Sequence, residues 1–149
     1  MTITPVTPPD TMSAADVDLL DRAQRLLGQV WTAGRHEVAT ALRTAGGDVF
    51  VGVHLEGSCR RSSICAEGVA LGAARAGLAR GTRLLVDSVV SVQVKPADRF
   101  RIIAPCGVCR ELISDYSPGA RIWLTSPASG EIRSVRALDL LPDKSDRIW

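Results

Sequence analysis

Segments with a helical pattern alternate with β-prone segments along this chain, and that alternation limits the folds open to it. Behind Ser13, a residue type favoured at helix N-caps, apolar residues recur at a helical period. Short apolar and β-branched runs bounded by turn residues predict strands. In chain order we predict a helix (13–31), two strands (37–42 and 49–55), a helix (65–80), a strand (84–94), a helix (106–116) and two strands (121–125 and 132–135). This order predicts one central sheet covered by helices, which is a layered α/β fold.

Turn residues indicate several of the boundaries. The Gly-Gly-Asp sequence at 46–48 predicts a hairpin between the first two strands, because these residue types tolerate a positive φ. Gly81 follows the second predicted helix and is expected to be its C′ residue. Residues 101–104 either belong to the strand 84–94 or form a short extension of it, with Asp98 in a turn between them.

A length of 149 residues is typical of a single domain. Residues 1–12, which are rich in Thr and Pro, are expected to form a flexible tail, and residues 13–149 the domain. The N-terminus lacks the basic and apolar regions of a secretory signal and the apolar runs are short, so we expect a cytoplasmic protein without a membrane partner.

A net charge of +2 with 4% aromatic residues argues against a nucleic-acid partner, which requires clustered basic charge and stacking side chains.

Two short cysteine-containing segments open the second and third predicted helices: Cys65-Ala66-Glu67 and Pro105-Cys106-Gly107-Val108-Cys109-Arg110. A helix N-terminus carries partial positive charge, which lowers the pKa of a thiol and favours the thiolate that a metal requires. Cys106 and Cys109 are three residues apart and can hold one ion, while Cys65 can supply a third ligand from the other helix. Three protein ligands leave one coordination position open for water, as in catalytic zinc sites.

Glu67 adds a proton carrier to this candidate metal site. A carboxylate beside a metal-bound water can accept its proton and deliver it to a leaving amine. Three thiolates make the site negative, so compensating positive charge is expected from the two helix N-termini. Arg110, and with less support Arg60 or Arg61, could add to it by donating hydrogen bonds to the ligand sulfurs.

The cysteines also allow less specific interpretations. We expect Cys59 to be a small buried residue, the ordinary fate of an intracellular cysteine, although it could also be a fourth metal ligand. A structural zinc site normally has a second Cys-x-x-Cys pair or histidines at ligand spacing, and this chain has one such pair. A binding module that zinc only braces remains an alternative to a catalytic centre.

Four segments together resemble the small, homotetrameric, zinc-dependent cytidine deaminases, a family that includes blasticidin S deaminases: Gly52-Val53-His54-Leu55-Glu56, Cys65-Ala66-Glu67, Pro105 to Arg110, and Leu140-Leu141-Pro142. The resemblance implies a three-layer α/β/α fold with a central mixed sheet of about five strands. It also implies Zn²⁺, a homotetramer and a small-molecule substrate. The implied reaction is attack of zinc-bound hydroxide on the amino-bearing ring carbon of a cytosine nucleoside or close analogue, with release of ammonia.

By the same resemblance, Glu56 would bind a ribose hydroxyl, the Ala66 N–H would hold the ring oxygen, and the Ala104 carbonyl would accept from the amino group. Two histidines depart from the family pattern. His54 stands where typical members have an asparagine that pairs with the sugar, and His36 where they have a phenylalanine. The substrate could therefore be blasticidin S or another aminated heterocycle. Gly68 also replaces the usual arginine after the glutamate.

Overall fold

The computed structural model describes residues 2–96 and 98–145, so residues 146–149 at the end of the predicted domain, and the Arg60 side chain, lie outside the described part. The helices are α1 (Ala14–Val30), α2 (Ala66–Gly77) and α3 (Gly107–Tyr116), and the strands are β1 (Val38–Thr44), β2 (Val49–Val53), β3 (Val86–Val94), β4 (Phe100–Ile102), β5 (Arg121–Thr125) and β6 (Ile132–Arg136). Short 3-10 turns occur at Arg60–Ser62 and Ala137–Leu140. Within the described residues, no helix has both the length and the apolar character needed to cross a membrane.

The strands form one mixed sheet in the order β2-β1-β3-β5-β6, and the short β4 also pairs with β3. β3 and β5 are parallel, whereas the other pairs are antiparallel. The segment 101–104, which the sequence left open, thus contributes to a separate strand, because the chain reverses at Asp98 with a φ of 65°. The predicted sheet of about five strands has six.

The helices cover both faces of the sheet. Leu19 and Leu20 of α1 pack with Val90 and Val92 on one face. On the other face, residues of α2 and α3 pack with Leu42, Val89 and Ile122. Adjacent residues of β3 point to opposite faces, so this one strand contributes to both apolar clusters. The predicted three-layer α/β/α fold is confirmed.

The helix starts agree with the sequence better than the helix ends do. The Ser13 side chain accepts from the Asp16 N–H at the N-cap of α1, as predicted. α2 ends at Gly77, four residues before Gly81, so the prediction that Gly81 is its C′ residue is wrong. Gly81 does have a positive φ, but in the following turn. That turn is stabilised by the Arg75 guanidinium, which donates to the carbonyl groups of Leu78, Ala79 and Thr82.

The segment before α1 follows the edge of the domain. Thr4 forms an isolated bridge with Arg99, its N–H donating to Asp98 and its carbonyl accepting from Phe100. The Val6 N–H donates to the Gln24 side chain of α1. The flexibility predicted for residues 1–12 stays a prediction, and these bonds define where the segment docks.

The strand register explains why α2 and α3 begin close together. Ala39 pairs with Val53 at the end of β2 and with Val92 of β3, and Val92 pairs in turn with Ile102 at the end of β4. The chain therefore leaves β2 and β4 at the same level of the sheet. The exit from β4 leads to α3 through the short segment 103–106, and the exit from β2 leads to α2 through the longer segment 54–65, which contains a 3-10 turn; both helices lie on the same face.

Gly52 allows the first turn of α2 to lie directly on β2. A Cβ atom at this position would overlap the Ala66 carbonyl oxygen and the Ala70 amide nitrogen. Both neighbours are backbone atoms, so they cannot move aside without shifting the helix. The close contact sets the height of α2 above the sheet.

We predict that Gly52→Ala destabilises the protein by about 1–3 kcal/mol, because the added methyl group overpacks the contact. Gly72→Ala is the matched control. Gly72 lies in the same helix with no atom near its Cβ position, so this change should be neutral or stabilise by about 0.5–1 kcal/mol. Urea unfolding measures both, and equal stability of Gly52→Ala and wild type would contradict the argument.

Candidate active site

Three sulfur atoms meet where α2 and α3 begin. Cys65 and Cys106 are the N-cap residues of the two helices. Cys109 lies one turn into α3 and is buried. The Cys65 and Cys106 sulfurs are 3.6 Å apart, and all three sulfurs lie within 4.8 Å of one another.

The spacing of these sulfurs fits a tetrahedral metal ion. Zinc–sulfur bonds of about 2.3 Å place two ligand sulfurs about 3.8 Å apart. The Cys65–Cys106 separation of 3.6 Å is close to that distance, the upper limit of 4.8 Å for all three pairs allows it, and three thiol donors match a zinc site with one open position. Cys59 is not part of the cluster. It is exposed, so the expectation that it is buried is wrong: its carbonyl accepts bonds from Ser62 in the 3-10 turn at the surface.

The three thiols differ in acidity. Burial raises the pKa of Cys65, and the neighbouring Cys106 sulfur adds to the effect. Burial also raises the pKa of Cys109, and the negative charge of Glu67 raises it further. Burial acts in the same direction on Cys106, but hydrogen bonds from the Cys109 N–H and from Cys65 outweigh it and lower the pKa. The pKa of Cys106 is thus lowered, as predicted for a thiol at a helix start, whereas the pKa values of Cys65 and Cys109 are raised. Metal ligands must be deprotonated, so a bound metal competes with protons at these sulfurs.

Glu67, in the first turn of α2, is buried between the sulfurs and the sheet, with 4% of its surface exposed. Its Oε2 atom lies 3.5 Å from the Cys109 sulfur. Its Oε1 atom accepts a hydrogen bond from Ser91 on β3 at 3.1 Å. The carboxylate thus has one oxygen toward the cysteine cluster and the other toward the sheet.

A pocket of about 250 Å³ opens beside the cluster. Six of the residues singled out in the sequence line it: His54, Cys65, Ala66, Glu67, Ala104 and Cys106. Its other lining residues are Glu37, Val38, Gln93 and Ile103, which sequence reasoning missed. Gln93 carried a weak signal, because it is a polar residue within the valine-rich β3.

His36, His54 and Glu56 form a polar group at the end of β2. The His54 Nε2 atom lies 3.2 Å from Glu56 Oε2, and Ser63 donates to Glu56 Oε1 at 2.5 Å. His36 Nδ1 lies 3.0 Å from the His54 carbonyl oxygen. Of these three predicted substrate contacts, His54 lines the pocket, whereas His36 and Glu56 are not among its lining residues and contact His54.

Comparisons with known proteins agree with this geometry, although no family model matches the sequence. The chain is 31% identical to a blasticidin-S deaminase from Bacillus cereus, over 91% of its own length and 96% of that protein. It is 31% identical to a cytidine deaminase from Halalkalibacterium halodurans, over 72% and 76% of the two chains. The chain belongs to the cytidine deaminase family. A solved cytidine deaminase from Burkholderia pseudomallei superposes with a TM-score of 0.67 at 30% identity, covering 85% of this chain and 96% of that one.

Membership of this family confirms the resemblance inferred from the motifs. The protein is an enzyme, a hydrolase of the carbon–nitrogen bond of a cyclic amidine. The alternative of a non-catalytic module braced by zinc is thereby set aside.

Arg110 has a different set of contacts from the one expected. Its guanidinium donates to the Pro105 carbonyl at 2.8 Å and to the Leu140 carbonyl at 3.2 Å, and not to a ligand sulfur. It therefore ties the residue before Cys106 to the C-terminal 3-10 turn. Of the other candidates, Arg61 is exposed.

We predict that protein purified without chelator carries one metal ion per chain, and that Cys65→Ala, Cys106→Ala and Cys109→Ala each lose most of it. Cys59→Ala is the matched control and should keep the metal, because Cys59 is outside the cluster. Elemental analysis measures the content. Loss of metal in the Cys59 variant equal to that in the Cys109 variant would contradict the three-cysteine site.

Proposed function

We propose that this protein is a zinc-dependent deaminase of a cytosine nucleoside analogue such as blasticidin S, with plain cytidine as a poor substrate. The observation that carries the proposal is the buried carboxylate of Glu67 beside three sulfurs at an open pocket. The net reaction consumes one water and releases one ammonia, as the ring amino group is replaced by oxygen.

Cys65, Cys106 and Cys109 would hold the zinc. A zinc ion bound there would lower the pKa of a water ligand and supply a nucleophile at neutral pH. The donor set supports zinc, because thiolates at tetrahedral spacing are typical zinc ligands.

Glu67 is proposed to move the protons of the reaction. Its Oε2 atom, on the cysteine side, is placed to accept a proton from the attacking water. The same carboxyl group then delivers a proton to the departing amino group, so that ammonia leaves as a neutral molecule. Burial keeps bulk water away from the carboxylate, which limits competing proton exchange.

Backbone groups of Ala66 and Ala104 are proposed to orient the ring. Both residues line the pocket. The Ala66 N–H belongs to the first turn of α2, where amide groups have no partner within the helix. In the arrangement implied by the family, this N–H binds the ring oxygen and the Ala104 carbonyl accepts from the amino group.

The proposed substrate preference rests on His54. Because Nε2 faces Glu56, the neutral ring donates there and leaves Nδ1 as an acceptor. That Nδ1 atom is buried and has no hydrogen-bond partner among the described residues. An asparagine would offer a donor and an acceptor together, whereas the His54 ring has Nε2 engaged by Glu56 and Nδ1 buried, so the contact that pairs with the ribose of cytidine is altered. Glu56 adds negative charge, which favours a polar or cationic substituent.

A homotetramer is proposed as the assembly. Leu55 and Ile64, which pair beside Cys65, are exposed apolar residues, and Val108 between the two α3 cysteines is 73% exposed. Exposed apolar surface is often found at interfaces and supports this proposal, in which a second copy of the chain would cover these residues and wall the pocket. The mass in solution at micromolar concentration tests this, and a monomer would contradict it.

The cytoplasmic location expected from the sequence stays a prediction.

We predict that blasticidin S gives a higher kcat/KM than cytidine, deoxycytidine or free aminated bases. His54→Asn should move the ratio toward cytidine by roughly one to two decades, because an unpaired buried polar group costs about 1–3 kcal/mol. Ammonia release in parallel assays measures both. If cytidine has the highest kcat/KM of wild type by a wide margin, His54 does not determine the substrate.

A further inference from the structure

Two buried hydroxyl groups continue the contacts of Glu67 into the sheet. Ser91 Oγ donates to Glu67 Oε1, and Thr40 Oγ1 lies 2.7 Å from Ser91 Oγ. Thr40 is 0% exposed and Ser91 3%. Neither residue lines the pocket, so neither is placed to contact a substrate.

The strand register places these hydroxyls under the start of α2. Gly52, Thr40 and Ser91 are direct partners in one row across β2, β1 and β3. Gly52 is the member of that row on which the first turn of α2 lies. The same approach brings Glu67, one residue beyond Ala66, within reach of the Ser91 hydroxyl. The backbone of the sheet and of α2 therefore fixes where the Thr40 and Ser91 hydroxyls lie relative to Glu67.

In the series Thr40, Ser91 and Glu67, both hydrogen bonds point toward Glu67 when its carboxylate is ionised. Each hydroxyl has a single proton to donate. Ser91 donates its proton to Glu67, so the proton between the two hydroxyls must come from Thr40. Donation by Thr40 polarises the Ser91 hydroxyl and strengthens its bond to the carboxylate.

These contacts make the two oxygens of Glu67 inequivalent. Oε1 is held from the sheet side, while Oε2 remains on the side of Cys109. We propose that Thr40 and Ser91 are positioning residues, which hold Glu67 Oε1 so that Oε2 is the oxygen that carries the proton. This inference rests on the proposed role of Glu67 in deamination.

Loss of the hydrogen bond from Ser91 to Glu67 should lower turnover and leave substrate binding unchanged. The Glu67 side chain has three rotatable bonds, and the Ser91 bond fixes the plane of the carboxylate. A proton carrier displaced by a fraction of an ångström acts less well on a bound substrate. The pocket walls that bind the substrate are unchanged, because the hydroxyls lie outside them.

The kinetic test compares four variants with wild type on the best substrate. We expect Ser91→Ala to lower kcat about 3- to 10-fold with KM and metal content unchanged, as the loss of one hydrogen bond predicts. Thr40→Val should give a smaller loss of kcat, and Thr40→Ser, which keeps the hydroxyl, should restore it. Ser88→Ala is the control, because Ser88 is also a buried serine of β3 but lies on the α1 side, near Asp16. It should leave kcat unchanged.

A second measurement does not depend on activity. The loss of melting temperature in the Thr40→Val, Ser91→Ala double variant should be smaller than the sum of the two single losses, because the double variant leaves no orphaned Thr40 hydroxyl. Additive losses, or an unchanged kcat in Ser91→Ala beside an active wild type, would overturn the inference and leave the proposed function standing. If wild type deaminates none of the substrates, the proposed function fails, and the additivity of the melting temperatures alone decides whether the two hydroxyls act as a pair.

Discussion

The site depends on two helices that begin at one level of the sheet with a cysteine at each N-cap. The ends of β2 and β4 are brought to that level by the pairing of Ala39 with Val53 and of Val92 with Ile102. Because the exits are aligned, Cys65 and Cys106 face each other at 3.6 Å. Cys109 follows one turn later and completes the cluster from the buried side. A slip in strand register would separate the sulfurs.

The close approach of α2 to the sheet also buries the Glu67 carboxylate, which therefore needs hydrogen-bond partners inside the protein. Glu67 has them on both sides, in Ser91 on the sheet and in Cys109 of the cluster. The pocket opens beside the cluster. Cys65, Cys106 and Glu67 line one part of it, and His54, whose ring contacts Glu56, lines another, where we propose that the substituent of the ring is selected.

The sequence predicted features with local causes and missed those with distant partners. Ser13 was recognised as a cap, and the Cys-x-x-Cys spacing as a metal-binding turn, because both patterns lie within a few residues of one helix start. The hydroxyls of Thr40 and Ser91 lie in strands that read as apolar, and only the pairing of β1 with β3 brings them together. The position of Arg110 next to Cys109 predicts a contact with the ligand sulfurs, but its guanidinium donates to the carbonyl of Leu140, thirty residues away. The early end of α2 is a local feature that the sequence did not predict, and the Arg75 guanidinium bonds the Leu78 and Ala79 carbonyl groups just beyond it.

The proposed reaction depends on Glu67 as the proton carrier, and Glu67→Gln tests this role most directly. The amide keeps the size of the side chain and can still accept from Ser91, but it cannot carry a proton. Turnover by ammonia release should fall about 100- to 10,000-fold, while metal content and melting temperature stay close to those of wild type. Glu37→Gln is the matched control, because Glu37 also lines the pocket but its carboxylate accepts from the Gly34 N–H, and it should retain most of the activity. Near-normal turnover in Glu67→Gln would contradict the account.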